Sequence, residues 1–162
     1  MIGCALRAVA PTQRNAESRE RTAEGIVRER TGDVHPRLTH QIVGAAIRVH
    51  TALGPGLLES AYELCLAHER SARGHEVLRQ VVVPITYETI RIDAGSRLDL
   101  LVDQTVIVEV KSVVRSDPIH ESQLLTYLRL SGHPVGLLIN FNVSRLRDGV
   151  VRRVMTRPQD NA

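Results

Sequence analysis

The chain has 162 residues, 43% of them hydrophobic, and a formal net charge of +3, enough for one domain with a real core. Its longest uninterrupted apolar runs, such as Val135 to Ile139, fall far short of the roughly 20 residues that cross a bilayer, so no membrane segment is expected. Residues 1–37 hold seven Arg and five acidic side chains and leave the remainder at +1, which argues against a protein that grips nucleic acid by bulk charge and leaves room for a local basic stripe.

The opening residues, Met1 to Pro11, show one Arg after a short apolar run and no persuasive cleavage site, so a secretory signal is not expected and a cytoplasmic protein is. Cys4 and Cys65 suggest neither a disulfide framework nor a zinc knuckle. Up to residue 37 the chain is rich in charge and poor in large apolar residues, and it reads as a flexible arm. Order is expected from Leu38, with Thr39 capping a helix whose apolar residues Ile42, Ala45, Ala46, Val49 and Leu53 recur at three and four. Gly54 and Pro55 stop it. A second helix is expected from about Leu57 to Arg73, ended by Gly74 in a left-handed conformation.

Beyond Gly74 the period shortens. Glu76 to Glu88 reads as a strand with Pro84 marking an edge or a bulge, Arg97 to Val102 and Thr105 to Val113 as two more, and Val135 to Phe141 as a buried fourth. Pro118 to Gly132, with Leu124, Leu125 and Leu128 at helical spacing, is a helix crossing between the last two strands. The fold class is therefore α/β, a mixed central sheet flanked by helices, over residues 38–157, with 158–162 as a tail.

Alternation places Thr105, Ile107, Glu109 and Lys111 on one face of their strand and Val106, Val108 and Val110 on the other. Glu-x-Lys on a strand face is commonly a solvated ion pair. Asp99, a second acid inside a neighbouring apolar strand, adds weight to another reading: two carboxylates that hold a hard divalent cation, with the lysine beside the attacking water. The connection decides whether they meet. A two-residue loop of Asp103 and Gln104 would pair Asp99 with Val108 and turn it away from Glu109. A third loop residue, Thr105, or a bulge would set Asp99 opposite Glu109, with the carboxylates about 3 to 5 Å apart.

The pattern Asp99, Glu109-Val110-Lys111 resembles the D and E-x-K signature of the PD-(D/E)XK nuclease superfamily, and Gly56, Glu59 and Tyr62 match the Gly-x-x-Glu-x-x-Tyr motif of its GxxExxY family. The segments Ala45–Ser60, Val106–Val113 and His120–Phe141 are similar to that family in order and spacing, over about Leu38 to Val154. The resemblance implies a restriction-endonuclease-like core and a metal-dependent nuclease acting on nucleic acid, DNA first. By that pattern Asp99 and Glu109, with the Val110 carbonyl, bind Mg²⁺ or Mn²⁺. Lys111 orients or activates the water, and Gln123 and Tyr127 hold the substrate strand as a Q-x-x-x-Y element. Leu98 departs from the small residue usual before the aspartate, and Thr89 to Ser96 is read as a turn, longer and more polar than the family implies.

Glu59 has two readings. With Gly56 as N-cap it falls at the third helical position, where it can bond orphan backbone donors; by resemblance it completes the metal shell or pairs with the lysine. Tyr62 is expected to pack between helix and sheet with its hydroxyl satisfied. His50 reads as a packing histidine and His120 as a second substrate-side candidate. Arg145 and Arg147, in the basic segment from Ser144 to Arg153, are candidates for following a phosphate backbone, against a plain solvated hairpin. The rival function is a catalytically silent nuclease-fold module that binds nucleic acid or a partner protein. Schiff-base chemistry at Lys111 is disfavoured by the adjacent carboxylates. A homo-oligomer is compatible with the sequence.

Overall fold

The structure, a computed structural model, describes residues 34–155. The expected arm lies outside the described residues up to residue 33, and so does the tail. Helix α1 spans Pro36–Leu53 and opens on proline, whose missing N–H falls where a helix has no partner for it. It therefore starts earlier than expected. Thr39 does not cap it but lies inside the first turn, with its hydroxyl donating to the His35 carbonyl at 2.9 Å.

Helix α2 spans Glu59–Ser71, two residues inside the expected start. The cause is Tyr62, whose hydroxyl donates to the Gly54 carbonyl at 2.6 Å and accepts from the Leu57 N–H at 3.1 Å. That staple fixes the Gly54–Leu57 loop, in which Gly54 and Gly56 hold φ of 72° and 99°, and it delays the helix until Leu58 has passed as N-cap without a side-chain bond. Gly74, at φ 82°, ends α2 as expected. Its N–H reaches Ser71 O at 3.0 Å and the His75 N–H reaches Arg70 O at 3.3 Å, the paired bonds of a Schellman closure.

Five strands follow: β1 Val77–Tyr87, β2 Ile90–Val102, β3 Val106–Lys111, β4 Val135–Asn140 and β5 Val150–Val154, with helix α3, Pro118–Ser131, between β3 and β4. Among the described residues they form one mixed sheet in sequence order, with β3 and β4 parallel and the other neighbours antiparallel. The stretch read as a polar turn, Thr89 to Ser96, is almost wholly strand. Pairing shifts between Val83↔Ser96 and Ile85↔Ile92, so three β2 residues lie against Pro84, which has no N–H to give the ladder, and the surplus is absorbed as a bulge. The expected bulge at Pro84 is present.

Each face of the sheet carries its own core. On one, Ile42, Ala46, Tyr62 and Leu66 of α1 and α2 pack on Leu100, Val108, Val110, Leu137 and Ile139. On the other, Leu124, Tyr127 and Leu128 of α3 pack on Leu101, Ile107 and Leu138. The valines of β3 thus face α1 and α2, and Ile107, Glu109 and Lys111 belong to the α3 face. β4 is buried along its whole length, which is why it reads as an unbroken apolar run.

Candidate active site

The β2–β3 connection decides the site. Asp103 and Gln104 both hold positive φ, 49° and 52°, and the Thr105 N–H closes the turn on Val102 O at 3.0 Å, as in a mirror-image hairpin turn. The ladder nevertheless pairs Val102 with Val106, Leu101 with Ile107 and Leu100 with Val108, so Thr105 is an extra residue and three residues separate the first pair. The turn is anchored from outside. Asp103 accepts from His75 Nδ1 at 2.6 Å and from the Glu76 N–H at 2.9 Å, and Gln104 Nε2 donates to Glu76 Oε1 at 3.0 Å. Continuing this register sets Asp99 opposite Glu109.

At that point regular pairing ends and the carboxylates take over its bonds. Asp99 Oδ2 accepts from the Val110 N–H at 2.9 Å, and Glu109 Oε1 accepts from the Asp99 N–H at 3.4 Å. Lys111 Nζ stands 4.0 Å from Glu109 Oε2. Glu109 is only 2% exposed. Burial, and then the negative charge of Asp99, pushes its carboxyl up to about 8, with Lys111 opposing.

Tyr127 is buried, and its hydroxyl accepts from Gln123 Nε2 at 2.7 Å, four residues back on the same helix face. Burial raises its phenol pKa and the Glu109 charge raises it further, which places this hydroxyl within electrostatic reach of the carboxylates. Of the sequence candidates, Glu109, Lys111 and Tyr127 thus belong to the α3 face, Gln123 is bonded to Tyr127, and Asp99 meets Glu109 through its own N–H.

Others do not join them. Glu59 is the first residue of α2, so a cap from the third position on Gly56 is not formed. Its Oε1 instead accepts from the Ser112 N–H at 3.0 Å, while Ser112 Oγ donates to Leu57 O at 2.5 Å. The helix start is thereby tied to the residue after Lys111. Tyr62 is fully buried and stacks on Phe141 with ring centroids 4.3 Å apart. His120 completes a capping box at the start of α3, its Nδ1 facing the Asp117 N–H. His50 meets Val143 O at 2.8 Å through Nε2. Arg145 and Arg147 are exposed in the connection from β4 to β5, which leaves the sheet beside Lys111, paired with Asn140.

Three residues had escaped sequence reasoning. Asn140, 3% exposed, exchanges bonds with Val113 at 3.0 and 2.9 Å and pins the exit of β3. Glu63, 5% exposed, accepts from Arg79 Nε and Gln80 Nε2, both at 2.9 Å, and Gln80 Nε2 also lies 3.4 Å from Asp99 Oδ1. One signal for Glu63 was available. It follows Glu59 by four residues, one helical turn, and so shares its face.

The donor set suits a hard divalent cation. Among the described residues no three His, Cys, Asp or Glu side chains gather as a metal-binding group. Magnesium, however, is usually held by one or two carboxylates, with waters and substrate phosphate filling the octahedron. A buried carboxylate raised by desolvation and by a second carboxylate is the place where a cation is most stabilising.

An α/β domain with a mixed sheet flanked by helices, carrying an acid on each of two paired strands and a lysine two residues beyond the second, has a restriction-endonuclease-like architecture. The family model of the PD-(D/E)XK nuclease superfamily matches residues 36–154, and the chain belongs to that superfamily. Neither the curated proteins nor the solved structures contain a match. Among the described residues no helix is long and apolar enough to cross a membrane.

Proposed function

We propose that the chain is a metal-dependent nuclease of the GxxExxY group that hydrolyses phosphodiester bonds in DNA. The observation carrying this reading is the extra residue in the β2–β3 connection, beyond which Asp99 and Glu109 are linked through the Asp99 N–H and Lys111 stands 4.0 Å from Glu109. Asp99 and Glu109, joined by the Val110 carbonyl, would hold Mg²⁺ or Mn²⁺, and the bound ion supplies positive charge against a phosphoryl oxygen.

The chain's own groups do the rest. Lys111, 4.0 Å from Glu109, keeps an ammonium at the reacting centre, where it hydrogen-bonds the attacking water and offsets charge gathering on the phosphate. Tyr127, held by Gln123, offers a hydroxyl toward the substrate strand from the α3 side. Arg145 and Arg147 lie along its path beyond Lys111 and contact phosphates without reading sequence. Glu59 contributes through Ser112 by fixing the backbone that follows Lys111.

The test is cleavage of end-labelled linear and of closed circular DNA by the full chain, with Mg²⁺, with Mn²⁺ and with chelator. Metal-dependent shortening, lost by a hundredfold or more in Asp99→Ala with the fold retained, is expected. Undiminished cleavage by Asp99→Ala would refute the assignment, and Mn²⁺ binding with no cleavage of DNA or RNA would make the protein a silent binding module.

A further inference from the structure

Residues two apart in a regular strand share a face. β1 and β2 break this rule together. Val77 packs on the α1 and α2 side and Val81 on the α3 side, and across the ladder Leu100 belongs to the first core and Leu98 to the second. Arg79 pairs with Leu100 and Val81 with Leu98, so the residues enclosed by the reversal are Gln80 and Asp99, facing each other. Gln80 makes the reversal by holding φ at 53° in mid-strand, a conformation uncommon for any residue with a Cβ.

Glycine would serve that backbone better, yet the position carries a long amide. The amide is used: Nε2 donates to Glu63 Oε2 at 2.9 Å and lies 3.4 Å from Asp99 Oδ1. Glu63 is almost fully buried, and its other oxygen is held by Arg79 at 2.9 Å, so its charge is balanced from the same strand. Asp99 is thereby held from two sides, by Gln80 at Oδ1 and by the Val110 N–H at Oδ2.

We propose that Gln80 and Glu63 are positioning residues of the active site, which hold the Asp99 carboxylate at the strand reversal in the orientation needed to receive a divalent ion. The inference rests on the nuclease reading above. Groups that orient metal ligands from behind typically contribute ten- to a hundredfold in metal affinity.

Mn²⁺ binding by the full chain, measured by calorimetry beside thermal melts in chelator, separates an amide that positions from a backbone that merely turns. Gln80→Gly permits the left-handed backbone and removes the amide. Its melt sets relief of the left-handed backbone against loss of the Glu63 donor, and it should bind Mn²⁺ about tenfold more weakly. Glu63→Gln leaves residue 80 untouched but sets an amide N–H₂ against one of the two donors, and it should weaken Mn²⁺ binding similarly, which decides the matter should the glycine variant melt early. Wild-type Mn²⁺ affinity in both variants overturns this inference and leaves the nuclease reading standing. A wild-type chain that binds no Mn²⁺ overturns both.

Discussion

Glu109→Gln tests the electrostatics of the site without any assay of catalysis. The substitution keeps shape and volume and removes only the ability to ionise. Glu109 is 2% exposed, and its carboxyl is raised from 4.5 to about 8 by burial and by Asp99, a gap worth about 5 kcal/mol at most. Below pH 4.5 the folded and the unfolded chain both hold this proton, and wild type and variant should be about equally stable. Between 4.5 and about 8 the unfolded chain releases it while the folded chain keeps it, so wild-type stability falls as pH rises. Above about 8 the folded chain carries the buried charge and the full cost is present. Urea unfolding in chelator from pH 4 to 9, taken as the difference between variant and wild type, cancels the other titrating groups and should rise toward several kcal/mol in favour of glutamine. Adding Mg²⁺ should remove the decline in the wild type and leave the variant unchanged. A pH-independent difference would refute the account of Glu109, and with it the argument that this position calls for a cation.

Tyr62→Phe keeps the stack on Phe141 and strips two backbone groups of their partner, so it should cost about 1 to 3 kcal/mol in urea unfolding while Mn²⁺ binding persists. Glu59→Gln retains an oxygen for the Ser112 N–H; stability within about 1 kcal/mol and near-wild-type cleavage are expected, whereas lost cleavage at unchanged melting would give the Glu59 charge a role at the ion. Gly149→Ala would drive a Cβ into the Asn140 carbonyl, a backbone atom with no room to yield, and should destabilise by about 3 kcal/mol in the same unfolding assay.

The parts of the fold that a backbone period dictates were legible in the sequence. The valines of β3 could face only one way once Glu109 and Lys111 faced the other, and the run from Val135 to Ile139 had the length and composition of a strand buried on both sides. Gly54, Gly74 and Gly132 marked real ends. What misled was chemistry acting from a distance. Thr39 looks like a cap, but Pro36 begins the helix before it. Leu57 looks helical, but its N–H is held by a phenol five residues on. Thr89 to Ser96 looks like a turn because it is polar, and from Ile90 on it is strand because a bulge at Pro84 lets the ribbon continue.

The site divides along the same line. Asp99 and Glu109 stood out because an acid inside an apolar strand is costly and asks for a reason, and turn parity showed what the connection had to do for them to meet. Gln80 carried no such signal. Its left-handed backbone arises from two cores lying on opposite faces of one ribbon, and nothing in the order Arg79-Gln80-Val81 announces it. Helix α2 shows how near the signals came. Tyr62 drew notice as a rare aromatic and proves to be a loop staple on the core side, whereas Glu63, rotated by about 100° around the same helix, reaches Gln80 and so Asp99. One turn earlier on that face Glu59 reaches Ser112. The helix thus bonds β1 at Gln80 and the backbone beyond Lys111 through two carboxylates one turn apart, while the tyrosine that made the segment conspicuous stacks in the core.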